Sequence, residues 1–428
     1  MKKTILIIVS TLIVVLLGIS FALVKANNKG GSETQKNIVT SEPNDVSDAG
    51  VAVEAEPEPE TEPAHEPEPE PEPEPTEEEL LEMRAEEILG TMTLDEKIYQ
   101  LFFVTPKLLT GEDKITEFTD LMKENLNQKL VGGVVLFKEN IISKEQVKNL
   151  NGDIANNSKF GILLSVDEEG GSVARLGNAN IGFISLPHMA EIGAKGDVNK
   201  AYEVGVSLAQ NLKELNFNMD FAPVSDILTN TENEIVKKRS FGTDANQVSE
   251  MVAAEVRGFS DNGVICSLKH FPGHGNTVAD SHFGSAVSLC DLDTLREREL
   301  IPFKAGIEEG AETVMVGHIS LPNIIGDNTP ATLSPIIVTD LLRQELNFKG
   351  VIITDSMQMG AVADYYTPEE AAVKALQAGN DMILMPTDLD RAFNGILTAV
   401  NDGEITEERI NESVLRILLL KLKNKIIE

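Results

Sequence analysis

The chain has 428 residues, with 69 acidic against 36 basic side chains and a formal net charge of −33. Phosphate recognition needs clustered Lys and Arg, so this balance excludes a nucleic acid as partner. The charge is uneven: residues 27–79 hold 17 acidic and two basic residues, nearly half of the total excess.

Met1-Lys2-Lys3 opens onto an apolar run at 5–24. A helix of that length crosses a bilayer core of ~30 Å, and the two lysines favour an N-terminus left in the cytoplasm. Two readings stay open for residues 1–26: an uncleaved membrane anchor, or a signal peptide cut near Val24-Lys25-Ala26. Secretory apolar cores span only ~7–15 residues, which favours the anchor. No Cys follows the run, which argues against a lipoprotein. Residues 27–79 then alternate Glu with Pro at 56–60 and 66–75. Proline extends the backbone, like charges stretch it, and the segment has too few apolar groups to form a core. We expect a disordered linker that carries the rest of the chain at the extracellular face of the cell membrane, or a secreted protein.

The character changes at Thr76. Thr76 and Glu79 spell a capping box ahead of Leu80, Leu81, Ile88 and Leu89, and residues 80–428 read as one folded domain. Short apolar runs predict buried strands at 101–104, 133–137, 162–166, 217–222, 264–269, 313–316, 351–354 and 382–384. Amphipathic segments separate them, capped by Ser143 with Gln146, Asp244 with Gln247, Thr367-Pro368 with Glu370, and Ser334-Pro335. Strands alternating with helices imply an α/β fold with parallel pairing. Eight such units in roughly 350 residues predict a single (β/α)₈ TIM-type barrel. An open doubly wound sheet would need a nucleotide fingerprint after the first strand, and Gly132-Gly133 precedes a strand instead. Cys266, in the run at 264–269, reads as a small buried hydrophobe, and no disulfide with Cys290 is expected.

A barrel's active site lies at the C-terminal ends of its strands. Those ends carry Asp167, Asp220 leading towards Asp226, Lys269-His270, His318 and Asp355. A helix cap or loop ion pair would account for any one of them, but not for five on one face. Two segments are richer. Lys269-His270-Phe271-Pro272-Gly273-His274-Gly275-Asn276 is followed by Asp280-Ser281-His282, where glycines allow close approach to a ligand and a carboxylate stands two residues from an imidazole. Thr354-Asp355-Ser356 puts a carboxylate at the end of an apolar strand, where it can act as a nucleophile. Four of the six histidines fall between 270 and 318, but without HExxH or a pair of Cys at ligand spacing we expect neither a metal nor a cofactor.

Together, Lys-His-Phe-Pro-Gly-His-Gly and Asp-Ser-His, with Val-Asp-Glu-Glu-Gly-Gly before and Thr-Asp-Ser-Met after, resemble family 3 glycoside hydrolases, most closely their β-N-acetylglucosaminidase branch. The likeness covers residues 80–424. It implies that Asp355 is the nucleophile, His282 the acid/base and Asp280 its partner. It also implies that Asp167, Arg175, Arg239, Lys269 and His270 contact the sugar, with His318 and Met385 near it. Two positions depart from the family pattern, Ser172 where Arg is usual and Asn276 where Asp is frequent. The resemblance implies an enzyme that removes terminal β-linked N-acetylglucosamine from muropeptide or chitin fragments. A phosphorylase on the same site and a non-catalytic wall-binding module are the alternatives. Lys269 and the arginines are expected to keep Asp355 ionised.

Overall fold

The computed structural model describes residues 75–277 and 286–428. All eight apolar runs contain strands: β1 Phe102–Val104, β2 Gly133–Val135, β3 Leu163–Ser165, β4 Met219–Asp220, β5 Ile265–Phe271, β6 Thr313–Val316, β7 Val351–Thr354 and β8 Ile383–Leu384. They pair in parallel in two arcs, β8-β1-β2-β3 and β4-β5-β6-β7.

Hydrogen bonds close the arcs into one ring. Between β3 and β4, the Asn218 N–H donates to the Leu164 carbonyl at 3.2 Å and the Asn218 side-chain oxygen accepts from the Leu164 N–H at 2.8 Å. Between β7 and β8, the Met382 N–H donates to Ile352 and the Thr354 N–H to the Met382 carbonyl, both at 3.0 Å. β4 is shorter than the predicted 217–222 because an asparagine side chain replaces one ladder bond and Pro223 has no N–H to donate. Every residue of β1, β2, β3, β6 and β7 is buried, as strands covered on both faces require. Cys266 lies buried in β5, where burial pushes its thiol up, and both cysteines are free.

The first described helix, Glu77–Thr91, is capped by a complete Thr76–Glu79 box, so the folded part begins a few residues before residue 80. Thr367 and Glu370 also form a complete box. Ser143 and Asp244 cap through their side chains as expected, but Gln146 and Gln247 turn away to Ile142 and Gly193. Ser334 receives its helix through its carbonyl. No helix among the described residues is long and apolar enough to cross a membrane. The run at 5–24 and the Glu/Pro repeats lie outside those residues.

The C-terminal helix Glu407–Lys423 locks the N-terminal end of the barrel. Asp381, just before β8, accepts from Arg343 at 2.6 Å, Ser413 at 2.7 Å, Arg416 at 2.9 Å and the Ile352 N–H at 3.0 Å. Lys421 donates to Gln100 at 2.7 Å and to the Gly161 and Phe160 carbonyls at 3.0 and 3.3 Å. Burial pushes that ammonium down to about 7. These polar ties belong to the closed end, and the opposite mouth carries the candidate site.

Candidate active site

After β3 the chain enters a short antiparallel ribbon, Glu168–Gly170 against Val173–Ala174. Side chains alternate faces along a strand. Asp167 and Glu169 therefore face the mouth together, while Glu168 turns back and accepts from the Leu176 and Gly177 N–H groups at 2.7 and 2.9 Å. Glu168 thereby ties the ribbon to the loop that carries Arg175.

A continuous chain of charge runs from there across the mouth. The Lys269 Nζ lies 2.8 Å from Asp167 and 2.6 Å from Glu169. The Arg239 guanidinium grips Glu169 with two bonds of 2.7 Å each. Arg239 Nη2 also lies 3.2 Å from His270 Nε2, and His270 Nδ1 lies 2.8 Å from Asp226. A guanidinium can only donate, so Nε2 accepts and the ring proton sits on Nδ1, towards Asp226. Arg175 approaches Asp167 at 3.4 Å. Burial alone would raise Glu169, but Arg239 and Lys269 outweigh it and hold this carboxyl at about 2. Burial likewise opposes Asp226, and His270 and His274 hold it at about 2. Asp167 is kept low against burial by Lys269 and Arg175. The same carboxylates hold the Lys269 ammonium up against the pull of burial.

The loop after β5 is anchored on Asp226, which accepts from the backbone N–H of His270 and of His274. Gly273 has φ 124°, a conformation that favours glycine. A Cβ at Gly275 would stand 1.6 Å from the Ile227 carbonyl oxygen, so only glycine fits there. Asn276 lies against Cys290, and Ser172 is exposed at the ribbon's turn. Asp280 and His282 lie outside the described residues.

Asp355 follows β7. Its N–H donates to the Val316 carbonyl at 2.9 Å, and its Oδ1 accepts from the Ser356 N–H at 2.7 Å. Lys269 and Arg239 give their hydrogen bonds to Asp167 and Glu169, and among the described residues Asp355 has no ion pair. His318 is fully buried behind this turn, with Nε2 2.9 Å from the Ser356 carbonyl and Nδ1 against Thr332. It is not part of the cavity wall among the described residues. Met385 is held at φ 49° and donates its N–H to Phe103 at 2.7 Å.

Asp167, Glu169, Arg175, Arg239, Lys269, His270, Asp355 and Met385 line one cavity of about 370 Å³, with Phe137, Phe221 and Met359 among its apolar walls. Pockets for small ligands measure roughly 300–1,000 Å³. Glu169 is the residue that the sequence reading passed over. Its signal was present in Val-Asp-Glu-Glu-Gly-Gly: two positions beyond Asp167 on an extended segment is the same face.

The sequence profile of the glycosyl hydrolase family 3 N-terminal domain matches residues 93–420. A β-hexosaminidase A of Pseudoalteromonas piscicida is 30% identical over 331 residues, which is 71% of this chain and 55% of the relative. A β-hexosaminidase of Stenotrophomonas maltophilia is 34% identical over 289 residues, 66% of this chain and 84% of the relative. Among solved structures, a family 3 β-N-acetylglucosaminidase from Paenibacillus is similar with a TM-score of 0.73 at 35% identity, covering 78% of this chain and 63% of that one. A β-glucoside phosphorylase is similar with a TM-score of 0.72 at 26% identity, covering 81% and 60%. The chain thus spans little more than half the length of the Pseudoalteromonas relative. With the profile matched over most of the chain and the barrel closed as described, this protein belongs to glycosyl hydrolase family 3.

Proposed function

We propose that this protein is a retaining exo-β-N-acetylglucosaminidase that hydrolyses terminal β-linked N-acetylglucosamine from muropeptide or chitin-type fragments. The observation that carries this reading is Asp355, which has no ion pair among the described residues and faces the same cavity as the buried chain Asp167–Lys269–Glu169–Arg239–His270. Breaking a glycosidic bond builds positive charge at the anomeric carbon and negative charge on the leaving oxygen. Asp355 attacks the anomeric carbon and forms a glycosyl-enzyme. His282, charged and partnered by Asp280, protonates the leaving oxygen. The neutral imidazole then takes a proton from water, which attacks the same carbon and releases Asp355. Asp167, Lys269, Arg239 and His270 hold the sugar hydroxyls through charge-assisted hydrogen bonds. Export by the N-terminal segment, with the Glu/Pro linker as a tether, puts the enzyme where cell-wall fragments are found.

Turnover of an aryl β-N-acetylglucosaminide beside the matching glucoside tests the reading. Hydrolysis of the first and little of the second is expected, and binding without turnover would favour a wall-binding module. The likeness to a β-glucoside phosphorylase favours phosphorolysis as the second reading. A sugar phosphate formed only when phosphate is added would establish it.

A further inference from the structure

The loop that leaves β4 for the helix Ala245–Ser260 passes from Asp226 to Arg239, and of residues 226–239 only Arg239 lines the cavity. The middle of this loop is bonded to the start of the loop after β5. The Asn230 N–H donates to the Gly275 carbonyl at 3.0 Å, and Asn230 Nδ2 donates to the Thr277 carbonyl at 2.9 Å. Asn233 Nδ2 donates to the His274 carbonyl at 2.8 Å and to Thr277 Oγ1 at 3.2 Å. On their other side both amides close turns of their own loop. Asn233 Oδ1 accepts from the Ile235 and Val236 N–H groups at 3.0 and 3.1 Å, and Asn230 Oδ1 from the Glu232 N–H at 3.1 Å. A carbonyl can only accept and a backbone N–H can only donate, so neither amide can be turned over. Asn233 and Thr277 are buried, and Asn230 is half-buried.

We propose that Asn230 and Asn233 are positioning residues for the proton donor. They fix the backbone at His274, Gly275 and Thr277, and so set where the chain departs towards Asp280 and His282. The inference rests on the glycosidase reading, with His282 as its acid/base. Through Asn233, the turn that leads to Arg239 and the stem that leads to the dyad share one side chain, so the groups that hold the sugar and the group that protonates its leaving oxygen keep a common frame. A proton donor must stand within about 2.6–3.2 Å of its target, and a displacement of ~1 Å costs about 100-fold.

The test is an Asn→Asp change at each position. A carboxylate still accepts the N–H groups that close the turns, but it puts an acceptor where a donor faced the His274 or Thr277 carbonyl. kcat/KM is measured for the nitrophenyl and the unsubstituted phenyl β-N-acetylglucosaminides, a good and a poor leaving group, with His282→Ala as reference and Tm for every variant. General acid catalysis is worth roughly 100- to 10,000-fold, and a displaced donor forfeits part of it, so Asn233→Asp is expected to slow the phenyl glycoside about tenfold more than the nitrophenyl one. Asn230→Asp is expected to act in the same direction more weakly. Added azide attacks the anomeric carbon without needing a base, forming a glycosyl azide and releasing Asp355. It is expected to speed nitrophenyl glycoside turnover in the variants and not in wild type. Equal slowing of both glycosides, or no change in either, while His282→Ala does separate them, overturns the proposal. A lowered Tm without that separation is a structural role alone and overturns it as well. If Asn233→Asp does not fold, Asn230→Asp decides by the same ratio. If His282→Ala does not separate the two glycosides, the acid/base assignment falls, and if wild type cleaves neither, the glycosidase reading falls; each takes this inference with it.

Discussion

Glu169→Gln tests the charged chain at its centre. Glu169 is buried and bonded to both Lys269 and Arg239. Those cations hold it at about 2 from an ordinary 4.5, in spite of burial. At ~1.4 kcal/mol for each tenfold change in a protonation equilibrium, that gap corresponds to roughly 3 kcal/mol. Removing one partner of a buried pair costs about 3–5 kcal/mol by a separate route, because the other charge is left uncompensated. Both routes predict a loss of about 6–10 °C in Tm at neutral pH for a domain of this size. The sign with pH follows from the lowered carboxyl. Its contribution is fully present above 4.5 and is lost as pH falls through about 2, so the gap between wild type and variant closes over that range. Activity is expected to suffer more than stability, because a displacement of ~1 Å in the groups that position substrate costs about 100-fold. Calorimetry across pH, with kcat/KM on an aryl β-N-acetylglucosaminide, is the assay. A Tm within about 2 °C of wild type together with kcat/KM within threefold would refute the argument that Glu169 organises the site.

Asp355→Asn should abolish turnover and leave Tm nearly unchanged, since the amide oxygen can still accept from Ser356; a fluorosugar that labels another carboxylate would identify a different nucleophile. His282→Ala should slow poor leaving groups severely and good ones much less, with a burst of aglycone from the latter, and Asp280→Asn should act in the same direction more weakly; equal slowing without a burst would assign the proton donor elsewhere. Burial pushes the Glu255 carboxyl up to about 8 and Glu168 to about 7, so stability should fall as pH rises from about 4.5 through 8, and Glu255→Gln should flatten that decline in thermal unfolding. A chain starting at Thr76 should keep full activity on soluble substrate, because the capping box that starts its first helix is retained; failure to fold would contradict the linker assignment.

The strands were legible because strands buried on both faces read as uninterrupted apolar runs, and β6 and β7 appear with their predicted bounds. β4 was over-extended because nothing local reveals that the Asn218 side chain substitutes for a ladder bond; its partner, Leu164, is 54 residues away. The site was legible where a polar residue ends an apolar strand, as at Asp167, Lys269 and Asp355. Glu169 lay beyond such a strand end, and its two cationic partners come from β5 and from the distant turn that carries Arg239. The partition of Lys269 and Arg239 between Asp167 and Glu169 was hidden for the same reason: proximity to a mouth says which groups gather, and not which pair.

Residue types and their periodicity determined the alternation of strand and helix, the helix starts at Thr76 and Thr367, and the face on which charged groups collect. These are local properties, set by backbone hydrogen bonding and by whether a side chain transfers favourably out of water. Ring closure, the partition of Lys269 between two carboxylates, the tautomer of His270 and the Asp381 hub were decided only by the tertiary structure. Each depends on groups tens to hundreds of residues apart brought within 3–4 Å. At that range, in a medium that screens poorly, geometry of a few tenths of an ångström decides which charges neutralise one another and which remain for a substrate.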